Sequence, residues 1–476
     1  MNHNTRMVVF DDDPTGIQTV HGCLLVTDWS EQNLITAFED REPFFYVLTN
    51  SRALSAADAR RVLTSAVEAV LDVNRRYGYR LIMVSRSDSC LRGHFPLETD
   101  VMRDVLREHG YNVWPRTPFC PAFIESGRVT IDGTHYMIDK SGTAATTCTV
   151  TTASGERLIP VSETEFARDN VFGYKNACLT EYIREKGGNP ADYDIVNAQS
   201  YAELDSFRDK LFDEIADFDG AVVIRSSSSL PRSMSGISDK PYLTKQDLGI
   251  DTPATPGSTP ATLGSTPATL GSTLATLGST LATLGSTLGD SISENATPAA
   301  NHPATALFIV GSHVKKTTAQ LMQLLREPGI APRELSITSI LNDKAELLAD
   351  VERFIMQCQQ DGTTPVIYTA REEVRIDDPE RRQHLGQEIS DFLVSIVQNL
   401  PISPRYVVAK GGITSHDILT HGLNIKVGRV MGQAINSVPC VMAPPLHEGG
   451  SPIPYIIFPG NVGDEHSLAE IFKKLE

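Results

Sequence analysis

The stretch VVFDDDPTGIQTV runs from Val8 to Val20. A short apolar run ends abruptly on three carboxylates, Asp11, Asp12 and Asp13, and Pro14, Thr15 and Gly16 then turn the chain. An apolar run of this length, bounded by a turn, reads as a buried strand. Carboxylates at its end repel one another, and a buried carboxylate is costly unless something pairs with it. The cluster therefore lies in a solvated turn, or it meets a cation or a proton-donating group.

The same pattern recurs along the chain. FFYVLT leads into Asn50, Ser51 and Arg52, and RLIMVS leads into Arg86. Between them SAADARRVLTSAVEAVLDVNRRYG has apolar residues near helical spacing and ends on Gly78. This is the β-α-β rhythm of a parallel sheet. ALFIV before GSHVKKTTAQLMQLLRE, then PVIYTA, RYVVAKGGITSHDILTHG and PYIIFPGNVGDEHSLAEIFKKL, repeat it towards the C-terminus. The expected fold is α/β, with two domains of mainly parallel sheet.

A low-complexity linker is expected between them. From Thr252 to about Ala304 a seven-residue unit repeats, with Gly257, Gly264, Gly271, Gly278 and Gly285 each opening a copy. The period matches a coiled coil, but the copies carry Gly, Ser, Thr and early Pro and lack flanking charges. Such a segment buries too little apolar surface to offset its ordering entropy. The expected division is residues 1–245, a flexible linker over 246–303, and residues 304–476.

The 476 residues exceed one ordinary domain. A net charge of -17 argues against nucleic acid or an anionic membrane surface as partner. No apolar run is long enough to span a membrane, and MNHNTRMVVFDDD has no apolar core of a secretory signal. The seven cysteines are scattered singly without a CxxC pair, which fits reduced thiols and a cytoplasmic location. A small-molecule ligand is the expected partner, and a homodimer is compatible with the sequence.

In open α/β sheets, ligands sit beyond the carboxyl ends of the strands. Three such ends in the first half, DDDPTG, TNSR and SRSDSCLRGHF, gather Asp11, Asp12, Asp13, Arg52, Arg86, Asp88, Arg92 and His94. PFCPAFIESGRVTIDGTHY adds Arg128 and His135. Arginines grip a carboxylate bidentately, and aspartates accept from hydroxyls or take a proton. The set suits a small substrate bearing both hydroxyls and a carboxylate, against the alternative of solvated loop charges and internal ion pairs. Cys90 reads as structural.

The second half offers three glycine turns. IVGSHVKKTT places Gly311 and Ser312 after a strand, with Thr317 and Thr318 able to cap a helix. It is not a P-loop, because Lys315 stands where that motif needs glycine. AKGGITSHDIL places Gly411 and Gly412 before a helix expected to begin at Thr414 or Ser415, and FPGNVGDEHSL repeats the arrangement with Gly460, Asn461 and Gly463. Free backbone N–H groups at such turns bind anions. There is no GxGxxG dinucleotide fingerprint.

Two families share the opening motif. Asp11-x-Asp13-x-Thr15 resembles the first motif of the haloacid-dehalogenase-type hydrolases. That resemblance implies a magnesium-dependent phosphatase with Asp11 as nucleophile, but the late acidic motif is poorly matched, with Ala469 near its second place. A fuller set of motifs resembles the four-carbon acid sugar kinase family. DDDPTG, on Asp12, Asp13, Thr15 and Gly16, is followed in the family's order by TNSR and by RSDSCLRG, with Cys90 where Thr is usual. PAFIESGRVTIDGTHY, VGS, GGITS and the Gly460–Gly463 turn complete it. The departures are Pro14 within the acidic motif, VVIRSSSSLPRS in place of a small glycine-containing turn, and the repeat linker.

The resemblance implies a sugar acid on the first domain and ATP, with Mg2+, on the second. The implied reaction is phosphoryl transfer to a hydroxyl of threonate, erythronate or an oxo-tetronate in carbohydrate catabolism. Asp13 or Asp12 would be the base, Asp13 being favoured as the inner residue of the turn. Arg52 and Arg92 would hold the acid's carboxylate, with Asp88 and Arg128 beside it. Ser312, Gly411, Gly412, Thr414, Gly460 and Asn461 would bind ATP, and no protein metal ligand is expected. A non-catalytic ligand-binding relative is the remaining alternative.

Overall fold

The computed structural model describes residues 4–139, 150–152, 155–250, 305–371, 379–460 and 462–476. The repeat segment and Asn461 lie outside the described residues. Eighteen strands are described, and fourteen of them form one sheet. In the first half these are Thr5–Asp11 (β1), Leu24–Val26 (β2), Phe44–Leu48 (β3), Arg80–Arg86 (β4) and Thr117–Cys120 (β5). Arg128–Ile131 (β6), Thr134–Ile138 (β7), Val150–Thr151 (β8) and Arg157–Pro160 (β9) form a separate antiparallel sheet. Tyr193–Ile195 (β10) and Val222–Ser226 (β11) complete the first half. The second half contributes Leu307–Val310 (β12), Ile330–Leu335 (β13), Thr364–Thr369 (β14), Val407–Lys410 (β15), Val427–Ile435 (β16), Val438–Ala443 (β17) and Ile453–Phe458 (β18).

The large sheet runs β10-β5-β11-β4-β1-β3-β2-β16-β17-β18-β15-β12-β14-β13. The fold is α/β with two domains, and each flank of the sheet is parallel, as the apolar runs predict. The residues of β1, β3, β4 and β11 are almost all buried, the pattern of strands covered on both faces. Helices supply the cover. Ala56–Tyr77 starts where the Ser55 side chain accepts from Asp58 N and stops at left-handed Gly78.

Composition did not show that the two halves share this sheet. β2 pairs antiparallel with β16 across the divide, Val26 opposite Val427 and Leu24 opposite Arg429. Arg429 fastens the seam, its Nη1 and Nη2 donating to the Asp40 carboxylate at 2.8 and 2.7 Å. The end of the opening stretch lies at the same seam, where Gln18 Nε2 donates to Ser437 O at 3.1 Å. Residues 240–250 also cross over. Leu243 N donates to Gln433 O at 2.8 Å, and Leu243 and Leu248 pack in the core of the second half. Structural contact with that half therefore begins ahead of residue 245.

Three antiparallel pairings, β2–β16, β16–β17 and β17–β18, make β15 run opposite to β1 along the sheet. Neighbouring strands also twist by about 20–25° each, and six strand-to-strand steps separate β1 from β15. Among the described residues, no helix is long and apolar enough to cross a membrane.

Candidate active site

The three aspartates at the end of β1 have three different environments. Asp11 is fully buried, and its Oδ1 accepts from Arg86 Nη1 at 3.1 Å. Its Oδ2 is buried without a hydrogen-bond partner. Burial pushes this carboxyl up to about 7, against the pull of Arg86 and with the push of Asp12 and Asp13. The turn folds so tightly over it that a Cβ at Gly16 would stand 1.8 Å from Asp11 Oδ2.

Asp12 is also buried, and its acceptors are taken. Oδ2 accepts from Ser87 Oγ at 2.6 Å and from Arg52 Nε at 3.0 Å, and Oδ1 accepts from Arg52 Nη2. Asp13 is the most open of the three, its side chain 21% exposed against 1% for Asp12 and 0% for Asp11. Its Oδ1 accepts from Thr15 N at 2.9 Å and from Thr15 Oγ1 at 2.5 Å, and its Oδ2 lies 3.3 Å from Arg52 Nη1. Burial alone would raise the Asp13 carboxyl, but Arg52 and Thr15 overcome it and hold the group below the usual carboxylate range.

Backbone geometry places Arg52. Thr49 N donates to Asp11 O at 2.9 Å and Arg52 N to Asp12 O at 3.2 Å, so TNSR wraps the end of β1. The RSDSCLRG loop closes the other side. Its Gly93, at φ +126, is where a Cβ would come within 2.4 Å of Ser87 Oγ and 3.0 Å of Asp12 Oδ2. The small sheet and an aromatic cluster pin this loop. His135 Nε2 meets Ser89 O at 2.8 Å, and the Tyr174 and Tyr182 hydroxyls donate to Cys90 O and Leu91 O at 2.8 and 2.7 Å. His135 is thus structural, its fully buried ring held down at about 4 chiefly by burial. Burial pushes the Cys90 thiol up to about 11. His94 is engaged with Leu54 O at 3.0 Å.

The expected substrate arginines are brought to this edge, but they are already engaged within the protein. Arg52 bridges Asp12 and Asp13. Arg92 Nε donates to Asp88 at 2.8 Å, and Arg92 Nη1 lies 3.7 Å from Asp169. Asp88 is driven well below the carboxylate range because Arg92 and Arg52 outweigh its burial. Arg128 sits beside Asp88 and Cys90 and donates to Ser126 O at 3.0 Å. In VVIRSSSSLPRS, Arg225 is buried in a network with Ser85 and Glu98, and Glu98 also accepts from Ser51 Oγ at 2.7 Å.

In the second half the glycine turns converge. A Cβ at Gly411 would lie 3.0 Å from Ser312 Cβ, and one at Gly460 would lie 3.9 Å from Ser312 Oγ. Thr414 is buried against Gly311. A cavity of about 280 Å³ opens here, lined by Gly311, Ser312, Gly411, Gly412 and Thr414 on one side and Ile389 and Leu393 on the other. A larger hollow of about 540 Å³, beside His421, Asn424 and Lys426, contains none of these turns. The helix boundaries differ from expectation. The helix Lys315–Leu324 is preceded by Val314 as its cap, so Thr317 and Thr318 lie inside its first turn. The helix Gly412–Asp417 begins at Gly412, ahead of Thr414 and Ser415.

Sequence reasoning passed over Lys410. It is fully buried at the end of β15, and its Nζ donates to Pro459 O at 2.5 Å and to Gly460 O at 3.3 Å, above the Phe458 ring. Burial lowers it to about 7. Its only signal in the sequence was a lysine closing an apolar run, which also describes many solvated strand ends.

The two flanks meet at Asp13. A Cβ at Gly412 would lie 3.9 Å from Asp13 Oδ2, the nearest heavy atom it would meet. Hydroxyl donors, strand-end backbone and a buried lysine on one side thus face an ionised, arginine-held carboxylate on the other. That arrangement can hold an anionic group against the second half while Asp13 accepts a proton. Among the described residues, no cluster of three or more His, Cys, Asp or Glu is placed to hold a metal ion.

A family model described as a sugar-binding N-terminal domain matches residues 7–230, and one described as a nucleotide-binding C-terminal domain matches residues 307–468. No curated protein matches the sequence. Among solved structures, a Haemophilus influenzae protein of the DUF1537 family superposes with a TM-score of 0.57 at 14% identity, over 98% of this chain and 100% of that one. A Salmonella typhimurium LT2 protein, described as a candidate tRNA synthase, gives 0.61 at 14% identity over 99% and 100%. At such identities the likeness concerns the fold alone. A Bordetella bronchiseptica DUF1537 protein, crystallised as a domain-swapped dimer with bound citrate, gives 0.35 at 18% identity over 99% and 98%. Matched over both of its halves by the sugar-binding and nucleotide-binding models, the chain belongs to the four-carbon acid sugar kinase family.

Proposed function

We propose that the protein is an ATP-dependent kinase that phosphorylates a hydroxyl of a four-carbon sugar acid such as threonate, erythronate or an oxo-tetronate. One observation carries the reading: the Asp13 carboxylate of the first half lies against Gly412 in the glycine turn of the second, where a Cβ would stand 3.9 Å from Asp13 Oδ2. Phosphoryl transfer depends on positioning and charge neutralisation more than on covalent chemistry, and the cleft offers both.

ATP supplies the transferred phosphoryl group, and Mg2+ is taken to arrive bound to its phosphates. The donors of the second half suit such an anion. Ser312 and Thr414 offer hydroxyls, Gly411, Gly412 and Gly460 offer backbone approach, and Lys410 fixes the Pro459–Gly460 carbonyls so that the turns keep their spacing. On the first half Asp13 takes the proton of the attacking hydroxyl. Arg52 and Thr15 hold Asp13 ionised and fixed in orientation, and Asp12, itself fixed by the Ser87 hydroxyl, accepts from Arg52 and holds it in place. Arg52, Arg92 and Arg128, with Asp88 between them, form the wall expected to meet the acid's carboxylate. Because Arg52 and Arg92 are shared with aspartates, they contribute field and partial donors rather than free forks.

The phosphatase alternative loses its nucleophile. Asp11 is fully buried, paired with Arg86 and roofed by the Gly16 turn. The discriminating experiment mixes the protein with ATP, Mg2+ and a panel of tetronates and oxo-tetronates, following ADP and the product by mass. Acid-dependent ADP formation with a phosphorylated acid supports the reading. Phosphate release from a sugar phosphate without ATP, through a phospho-Asp11, would replace it with the phosphatase.

A further inference from the structure

The helix that starts at Gly412 carries a second group towards the acid cluster. Residues four apart on a helix share a face, so His416 lies one turn beyond Gly412, the position that approaches Asp13 Oδ2. Ile413 is exposed, Thr414 on the opposite face is buried, and Ser415 is buried against β15, its Oγ donating to Ala409 O at 2.9 Å. Burial dominates the environment of the His416 ring, followed by Asp417 and His421 of its own segment, and the Asp13 charge of the first half reaches it as well. Asp417 is itself engaged by Ser390 Oγ. His416 Nδ1 is buried and has no hydrogen-bond partner among the described residues. An orphaned buried ring nitrogen is costly, and phosphoryl transfer by Asp13 and the glycine turns gives it nothing to do.

We propose that His416 is a substrate-binding residue contributed by the second half to the acceptor site, its Nδ1 completing a hydrogen bond with a hydroxyl or carboxylate oxygen of the bound sugar acid. The inference rests on the kinase reading for the identity of the acid, though not for the contact itself. Burial holds the ring below the usual histidine range, so at neutral pH it is the uncharged imidazole, with one nitrogen donating and the other accepting. A contact from this side explains how a substrate resting on the first half would sense the nucleotide half. It also makes His416 a determinant of which acid fits, because a site built to bond a polar group rejects ligands lacking it.

The test uses the full chain with His416→Asn, His416→Gln and His416→Phe. An Asn amide nitrogen stands near the place of Nδ1, and a Gln amide nitrogen near that of Nε2. Calorimetric titration with threonate and with erythronate, without nucleotide, reads the contact independently of turnover. Steady-state assays with ATP read the KM of each substrate. The expected result is acid affinity and acid KM weakened about tenfold or more in His416→Phe and His416→Gln, largely restored in His416→Asn, with the ATP KM within about twofold throughout. Melting temperatures near wild type in His416→Asn and His416→Phe show that the effect is local. Unchanged acid binding in His416→Phe, a change in ATP KM instead, or Gln rescuing where Asn does not, would overturn the proposal, as would wild-type protein that binds neither acid. Acid binding without ATP turnover would sink the kinase reading and leave the contact standing.

Discussion

At the residue scale, one sequence motif holds three aspartates with three different tasks. Asp11 is a buried support, Asp12 an anchor for Arg52, and Asp13 an open, ionised acceptor. The difference is testable through pH. The Asp11 carboxyl is pushed up to about 7, so between about pH 4 and 7 the folded protein holds a proton that the unfolded chain releases. Its stabilising share is complete below about pH 4 and is lost as pH rises through 7. Asp11→Asn removes that dependence. Melting scans should therefore show the variant gaining on the wild type as pH rises across this window, and parallel curves would refute the buried-carboxyl account. The sequence named the right cluster but could not separate its members. Asp11 closes β1 while Asp12 and Asp13 lie in the turn beyond it, and only the partners supplied by β4 and TNSR decide which side chain is enclosed.

At the element scale, the apolar runs predicted the parallel strands well, because a strand buried on both faces must be continuously apolar. β1, β3, β4, β12, β14, β15 and β18 all fall on runs legible in the sequence. β16 and β17 were not legible. β16 alternates buried and half-buried residues and carries Gly428, Arg429 and Gly432, a pattern that its place at the seam explains. The glycine turns were visible, but the lysine joining two of them was not. Lys410 joins the end of β15 to the carbonyls of the Pro459–Gly460 turn. Burial leaves this amine only partly charged near neutral pH, so its hydrogen bonds are worth about 0.5–1.5 kcal/mol, or roughly 2–10-fold. Lys410→Met should lower kcat/KM for ATP by that factor while leaving the affinity for the sugar acid near wild type. An unaltered ATP dependence would remove Lys410 from the nucleotide turns.

At the scale of the whole molecule, the two halves are neither independent beads nor a fused single domain, since one twisted sheet runs through both. The sequence suggested two α/β units by their rhythm and the linker. It could not show the seam, because a three-residue strand such as Leu24–Val26 carries too little pattern to announce a partner some four hundred residues away. The seam between the halves is made by β2, β16 and Arg429, and the repeat segment between them is expected to act as a linker. Added loop length changes closure entropy only slowly, so deleting residues 257–288 should leave acid-dependent turnover within about twofold. A large loss would assign the repeats a spacing role. The central claim is that Asp13, facing the glycine turn of the other half, takes the acceptor's proton. Its most direct test is the turnover of Asp13→Asn with ATP and the preferred sugar acid, measured beside Asp12→Asn. The account predicts that Asp13→Asn loses about 10²–10⁴-fold in kcat, with the KM for ATP and for the acid within a few fold. Turnover in Asp13→Asn close to that of the wild type would contradict it.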